Sequence, residues 1–263
     1  MPLCRVALRL AYDGSLFSGW QMQNHAETVE GRLSQALSTA TRHPVRAFGS
    51  GRTDAGVHAL NQVAHADIPA GLDWERLRLS VNALAAPGIA LKGIVAVPAH
   101  FHARHSASGK VYRYQIFNRP YPAVLAPQRA WWIRHALDTE AMRRAARALI
   151  GEHDFSAFRA AACEAKSPVR TVRRIEIAER DAPEATLSID IEATAFLQHM
   201  VRIVVGTLVM VGSGRLPAEA IGGILAGRER VRAGLTAPPE GLHMLRVYYD
   251  LEAFPQLAAW SEE

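Results

Sequence analysis

Gly49-Ser50-Gly51-Arg52-Thr53-Asp54-Ala55-Gly56-Val57-His58-Ala59 sets one carboxylate inside a turn with glycines on both sides and an arginine two residues upstream. Glycine admits backbone angles closed to other residues and lets a ligand or a second backbone come close. Alternating apolar segments flank the turn, Val45-Arg46-Ala47-Phe48 before it and Val57 to Ala66 after it. The aspartate is therefore expected on a rigid turn joining two strands, a place where chemistry is often carried. Asp beside Gly is also ordinary turn chemistry, and a nearby arginine can pair with it at the surface. The string is not a dinucleotide fingerprint, because Asp54 stands where the third glycine belongs. It is not a phosphate loop either, because no Lys-Ser or Lys-Thr follows. What remains is a glycine-bounded Arg-Thr-Asp turn that aims a carboxylate.

Working outward, the first half reads as strand, helix, strand, strand, helix, strand. Arg5 to Tyr12 alternates as a half-buried strand does. Thr28 to Ala40 puts Val29, Leu33, Leu37 and Ala40 on one helical face, with Thr28 as N-cap. Val45 to Phe48 and Gln62 to Ile68 supply the strands around the turn. Asp73 caps a second helix carrying Trp74, Leu77, Val81 and Leu84, and Ile89 to Val97 returns as a strand. Two helices on one face of a four-stranded antiparallel sheet is the ferredoxin-like pattern. The second half repeats the order without repeating the sequence: a strand from Lys110 to Phe117, a helix from Asp138 to Ile150, strands from Val172 to Glu179 and Thr186 to Glu192. An apolar helix from Phe196 to Val211 follows, then a helix from Pro217 to Ala226 and a strand from Leu242 to Leu251. The expected fold is α/β (α+β), two ferredoxin-like halves at 1–103 and 104–263 sharing a continuous, mostly antiparallel sheet with a cleft between them.

Composition agrees with a folded chain: 49% hydrophobic and 21% charged residues in 263. Two cysteines, Cys4 and Cys163, give neither a disulfide framework nor a metal cluster, which points to a reducing cytoplasm. The amino terminus has no apolar signal core, and the longest apolar run, Met200 to Gly212, is too short to span a bilayer. The formal net charge of +5 is unevenly placed: residues 104–174 hold fourteen basic and five acidic side chains, whereas residues 175–263 hold seven and thirteen. A basic middle segment suits a phosphate-backbone partner, and it also suits a merely solvated face. Arg159, Lys166, Arg170, Arg173 and Arg174 are the candidates for phosphate contact. His100, His102, His105 and His199 lack nearby Cys, Asp or Glu at metal-ligand spacing, so no metal site is expected.

Three further segments stand out: His100-Phe101-His102-Ala103-Arg104-His105-Ser106-Ala107 running into Lys110-Val111-Tyr112-Arg113-Tyr114; Ala195-Phe196-Leu197-Gln198-His199-Met200-Val201-Arg202; and Thr236-Ala237-Pro238-Pro239-Glu240-Gly241-Leu242. With the Asp54 turn, and with Ala11-Tyr12-Asp13-Gly14 and Phe17-Ser18-Gly19-Trp20-Gln21 near the start, the chain resembles the tRNA pseudouridine synthase A family in motif, order and spacing. The resemblance covers nearly the whole chain. It departs from the family's usual residues at His105, Val111, Ile203 and His243.

The resemblance implies a cofactor-free, metal-free homodimer that isomerises uridine to pseudouridine at tRNA positions 38, 39 and 40, in the anticodon stem-loop. Asp54 then matches the catalytic aspartate and Arg52 the motif arginine. Tyr112 matches the tyrosine near the target base, and Arg202 the basic residue that pairs with the aspartate. His58 reads as a turn or RNA contact rather than a base. Two rivals compete: a non-catalytic RNA-binding protein of ferredoxin-like fold, and a hydrolase that releases a base from RNA.

Overall fold

A computed structural model describes residues 1–124, 128–180 and 185–260. The chain forms two compact units, one of Met1–Gly109 with the chain from Met244 onward, the other of Lys110–His243. Among the described residues, no helix is long and apolar enough to cross a membrane.

The first unit runs β1 (Leu3–Tyr12), α1 (Val29–Thr41), β2 (Phe48–Gly49), β3 (His58–Pro69), α2 (Trp74–Ala85) and β4 (Ile89–Ala96). Its sheet runs β4-β1-β3, with β2 also on β3, the 4-1-3-2 succession of a ferredoxin-like βαββαβ unit. β1 pairs antiparallel with β3 from Leu3 opposite Pro69, and with β4 from Val6 opposite Ala96. Both faces of β1 are covered. Ala7 joins Val63, Val97, Phe101, Ala103, Phe254 and Leu257 in one apolar cluster. Val6, Leu8 and Leu10 point the other way by the two-residue strand period, and each is fully buried.

Local chemistry fixes the helices. Thr28 caps α1 by accepting the Gly31 N–H at 3.3 Å, and Asp73 caps α2 by accepting those of Glu75 and Arg76. The strand expected over Val45 to Phe48 shrinks to Phe48–Gly49. The reason lies in α1: Ser38 and Ser34 hydroxyls accept the N–H groups of Val45 at 2.9 Å and Ala47 at 3.0 Å, so those donors never join the ladder.

The second unit follows with β5 (Ala107–Asn118), β6 (Trp131–Ile133), α3 (Thr139–Arg147), β7 (Gly151–Asp154), β8 (Val169–Glu179), β9 (Leu187–Ala193), α4 (Met200–Gly212) and α5 (Ala220–Gly227). Its sheet runs β5-β9-β8-β7, antiparallel throughout, and β6 adds a short parallel pairing to β5. α3 stops at Arg147 rather than Ile150, because the N–H groups of Ala148, Leu149 and Ile150 bond to carbonyls three residues back instead of four; Gly151 (φ 112°) then turns the chain into β7. α4 begins at Met200 rather than Phe196, because His199 adopts the left-handed conformation (φ 61°) that helices do not continue through. β10 (Leu242–Tyr249) closes the order beside β3. Tyr249 packs its ring at a tilt against Phe101, 5.2 Å between centroids, and donates its hydroxyl to the Ala103 carbonyl at 2.7 Å, which is why the chain from Met244 returns to the first unit.

Candidate active site

Asp54 lies between β2 and β3, half-buried, at the first position of a tight turn. Its carbonyl accepts the Val57 N–H at 3.1 Å, with Ala55 and Gly56 at the corner. Gly56 has φ 79°, the positive value that the third position of a type II turn requires, so the glycine of the motif is a backbone necessity. The turn is also held from behind. The Thr53 carbonyl accepts the Trp20 N–H at 3.0 Å, and the Thr53 hydroxyl lies 2.8 Å from the Tyr12 phenol. Gln62 on β3 donates to the Gly51 carbonyl at 2.9 Å and, more distantly, to the Tyr12 hydroxyl at 3.5 Å. The Gln62 side-chain carbonyl accepts from the Ser50 hydroxyl at 2.6 Å.

Ser50, Gln62, Thr53 and Tyr12 are all at most 7% exposed. A buried polar group costs stability unless it is satisfied, and these four satisfy one another. The result is a buried hydrogen-bonded scaffold directly beneath a carboxylate. Because Gln62 donates to Tyr12, the phenol proton is free to point at Thr53, and burial pushes Tyr12 up to about 12, keeping that proton in place. Tyr12 lay within a motif, but its role did not show in the sequence. Gln62 was visible only as a polar residue in an apolar strand.

Arg52 is exposed, and its guanidinium has no hydrogen-bond or ion-pair partner among the described residues. His58, by contrast, is buried at 2% exposure, with Nδ1 accepting the Gly14 N–H at 3.1 Å and lying 3.2 Å from Asp13. It ties the end of the turn to the Asp13–Gly14 corner.

In the second unit, Tyr112 sits on β5 opposite Ile191, 7% exposed, edge-on to Phe196 at 5.1 Å. Its same-face neighbour Tyr114 is fully buried and donates to the Pro238 carbonyl at 2.7 Å; burial raises its phenol far above the ordinary range. Arg202, in the first turn of α4, donates Nε to the Ala237 carbonyl at 2.8 Å, and the Ala237 N–H returns a bond to the Arg202 carbonyl at 3.1 Å. Gly206 makes that docking possible. A Cβ there would lie 1.9 Å from the Leu235 carbonyl oxygen, so only glycine lets the 234–237 segment lie on α4. The Thr207 hydroxyl, which also donates to the Ile203 carbonyl, receives the Gly234 N–H at 2.9 Å. Two motifs far apart in sequence, Arg202 to Thr207 and Thr236 to Gly241, thus form one brace that orients Arg202 and Tyr114.

The phosphate-contact candidates differ in freedom. Lys166 is exposed and Arg159 half-buried near Asp154. Arg170 bends back to the Ser167 and Val169 carbonyls, and burial lowers its pKa. Arg173 lies 3.6 Å from Glu192, and Arg174 is shared between Glu176 and Glu192. Three of the four departures from the family's usual residues fall at buried positions: Val111, Ile203, and His243, whose Nε2 meets the Arg129 carbonyl at 3.0 Å. His105 is exposed and packs its ring 4.3 Å from that of His102. No group of three or more His, Cys, Asp or Glu among the described residues is arranged to hold a metal ion.

A family model described as tRNA pseudouridine synthase matches residues 145–250. The chain is 43% identical over 264 residues to tRNA pseudouridine synthase A of Paracidovorax citrulli, covering 94% of each chain. It is 42% identical over 259 residues to the protein of that name from Klebsiella pneumoniae subsp. pneumoniae, covering 97% of this chain and 94% of the relative. Against that of Acetivibrio thermocellus the identity is 41% over 244 residues, 93% and 99% of the two. With such identity sustained along nearly its full length, the chain belongs to the tRNA pseudouridine synthase A family.

Proposed function

We propose that this isomerase converts uridine to pseudouridine at positions 38, 39 and 40 of the tRNA anticodon stem-loop, with Asp54 as its nucleophile. The observation that carries the proposal is the half-buried Asp54 on a turn fixed by the Tyr12–Thr53 and Gln62–Gly51 hydrogen bonds. A non-catalytic RNA-binding module has no use for a carboxylate held so firmly.

The chemistry asks for such a group. The N1–C1′ bond breaks, the uracil turns, and C5 bonds to C1′; C5 then loses its proton and N1 gains one, so the formula is unchanged. Cleavage develops positive charge at the sugar, which a fixed carboxylate stabilises or traps, as in retaining glycosidases. Attack by Asp54 at C1′ and attack at C6 of the base both draw on that same carboxylate. Arg202 serves as the cation that keeps Asp54 ionised. Tyr112 offers a flat face to the base and a hydroxyl for the C5 proton. The target nucleotide leaves its stack before reaction, with Arg52 serving substrate binding, His58 holding the end of the turn in place, and Arg159, Lys166, Arg170 and Arg173 meeting the phosphates. The protein acts as a cytoplasmic homodimer, whose second subunit adds basic surface for one stem-loop, and needs no cofactor.

The test is incubation of purified protein with unmodified tRNA transcripts, followed by chemical labelling of pseudouridine and mass spectrometry. Label at positions 38–40 with unchanged mass is expected. An anticodon arm without label overturns the site assignment, and loss of the uracil mass overturns isomerisation.

A further inference from the structure

A pocket of about 250 Å³ opens beside β6 in the second unit, lined by none of the residues assigned to the reaction. Its walls are apolar: Trp132, Val209, Met210 and Leu235. Its rim carries Arg134, His135 and Arg215, and no lining residue is acidic. Trp132 is 43% exposed and Leu235 51%, a large apolar area to leave open on a basic surface.

The pocket is built. Asn118 donates to the Ile133 carbonyl at 2.7 Å and to the His135 carbonyl at 2.5 Å, and accepts the Leu137 N–H at 3.2 Å, clamping the segment after β6 that carries Arg134 and His135. The Trp132 indole N–H is held by the Arg119 carbonyl at 3.0 Å, which fixes the plane of its ring. Several arginines of this unit are tied to carboxylates, as Arg113 is to Asp190 and Arg143 to Glu140. Arg134 and Arg215 have no ion-pair partner among the described residues.

A rigid indole wall, room for one planar ring, and cations at the rim with no carboxylate to balance them fit a ligand with a flat apolar part and a phosphate. We infer that this pocket is an accessory site for one unstacked nucleotide of the RNA substrate, its base against Trp132 and its phosphate between Arg134 and Arg215. Stacking on aromatic side chains with arginine at the backbone is how single-stranded nucleic acid is generally held. The choice of RNA as occupant rests on the function proposed above; the pocket's chemistry does not depend on Asp54.

The experiment measures binding of a labelled tRNA transcript and of a five-nucleotide single-stranded RNA at several salt concentrations, with the full-length protein. Trp132→Ala is expected to weaken binding of the short RNA about tenfold. The double variant Arg134→Gln, Arg215→Gln is expected to flatten the slope of log affinity against log salt by about 0.7, the share of one phosphate on a single strand. Circular dichroism melting within a few degrees of the parent shows the variants folded. Asp54→Asn serves as the control that separates the two proposals: it leaves this binding intact even if its effect on catalysis disappoints. Unchanged affinity and slope in both pocket variants overturn the inference. A shift in sedimentation toward a smaller species with per-site RNA affinity unchanged also overturns it, since the pocket then seats a second copy of the chain.

Discussion

Replacing Tyr12 with phenylalanine removes one oxygen from beneath the Asp54 turn and leaves the ring in place. That oxygen lies 2.8 Å from the Thr53 hydroxyl and 3.5 Å from Gln62 Nε2, at a residue only 5% exposed. Loss of a buried hydrogen bond costs about 0.5–1.5 kcal/mol net, and a stranded polar partner about 1–3 kcal/mol. Thr53 can rotate its hydroxyl, so the lower part of that range applies and the expected destabilisation is about 1 kcal/mol. The catalytic consequence is separable. Thr53 adjoins Asp54, and a misplacement on the order of 1 Å can cost about 100-fold in rate. The turn is a small part of any RNA contact surface, so kcat is expected to fall about 10- to 100-fold with KM nearly unchanged. Urea denaturation gives the first quantity, and single-turnover release of tritium from C5-labelled tRNA gives the second. Thr53→Val should do the same, and the double variant should be little worse than either single, because both remove the same bond. Strict additivity, or activity within twofold of the parent after the stability loss is seen, would refute the positioning role.

Gly206→Ala should be far more damaging than its size suggests, because the new methyl would lie 1.9 Å from the Leu235 carbonyl oxygen; a loss of about 3 kcal/mol in urea, with turnover lost alongside, is expected. Gly222→Ala is the matching control in α5: nothing lies within 4 Å of its Cβ, so the variant should gain about 0.5–1 kcal/mol and keep full activity. His65 supplies a pH signature. It accepts the Ala103 N–H at Nδ1, and burial together with His102 and Arg5 lowers it to about 4, against the opposing pull of Asp67 and the Phe48 carbonyl. The unfolded chain takes up this proton near 6.5 and the folded chain only near 4, so stability is full above about 6.5 and drains away as pH falls toward 4. The loss is on the order of 2 kcal/mol. Denaturation midpoints at pH 7 and pH 5 should show it, and a folded His65→Asn variant should lose that part of the pH slope.

How far the sequence carried can be seen element by element. Thr28 and Asp73 announced their helices because an N-cap is a local interaction, complete within three residues. β2 was over-read because its donors are taken by serines of a helix, a tertiary competition that a five-residue window cannot contain. The start of α4 was misplaced because nothing in an apolar run marks His199 as left-handed. β6 and β7 were missed outright: three and four residues long, they carry too little alternation to register against the surrounding loops. The Asp54 turn was legible through its glycines. What supports it was not, because Ser50, Gln62, Thr53 and Tyr12 meet only once β1 and β3 pair. His58 illustrates the limit of motif reading: it stands beside the turn in sequence, yet it is buried on the Gly14 N–H.

The most direct test of a nucleophilic Asp54 is the isosteric change to asparagine, assayed against an unmodified tRNA transcript in a single turnover. Asn keeps the turn's shape and hydrogen bonding while removing the negative charge, so pseudouridine formation should fall below detection while tRNA affinity stays within about threefold of the parent. Pseudouridine appearing at a rate within about tenfold of the parent would contradict the account, because no amide stands in for a carboxylate at a breaking glycosidic bond.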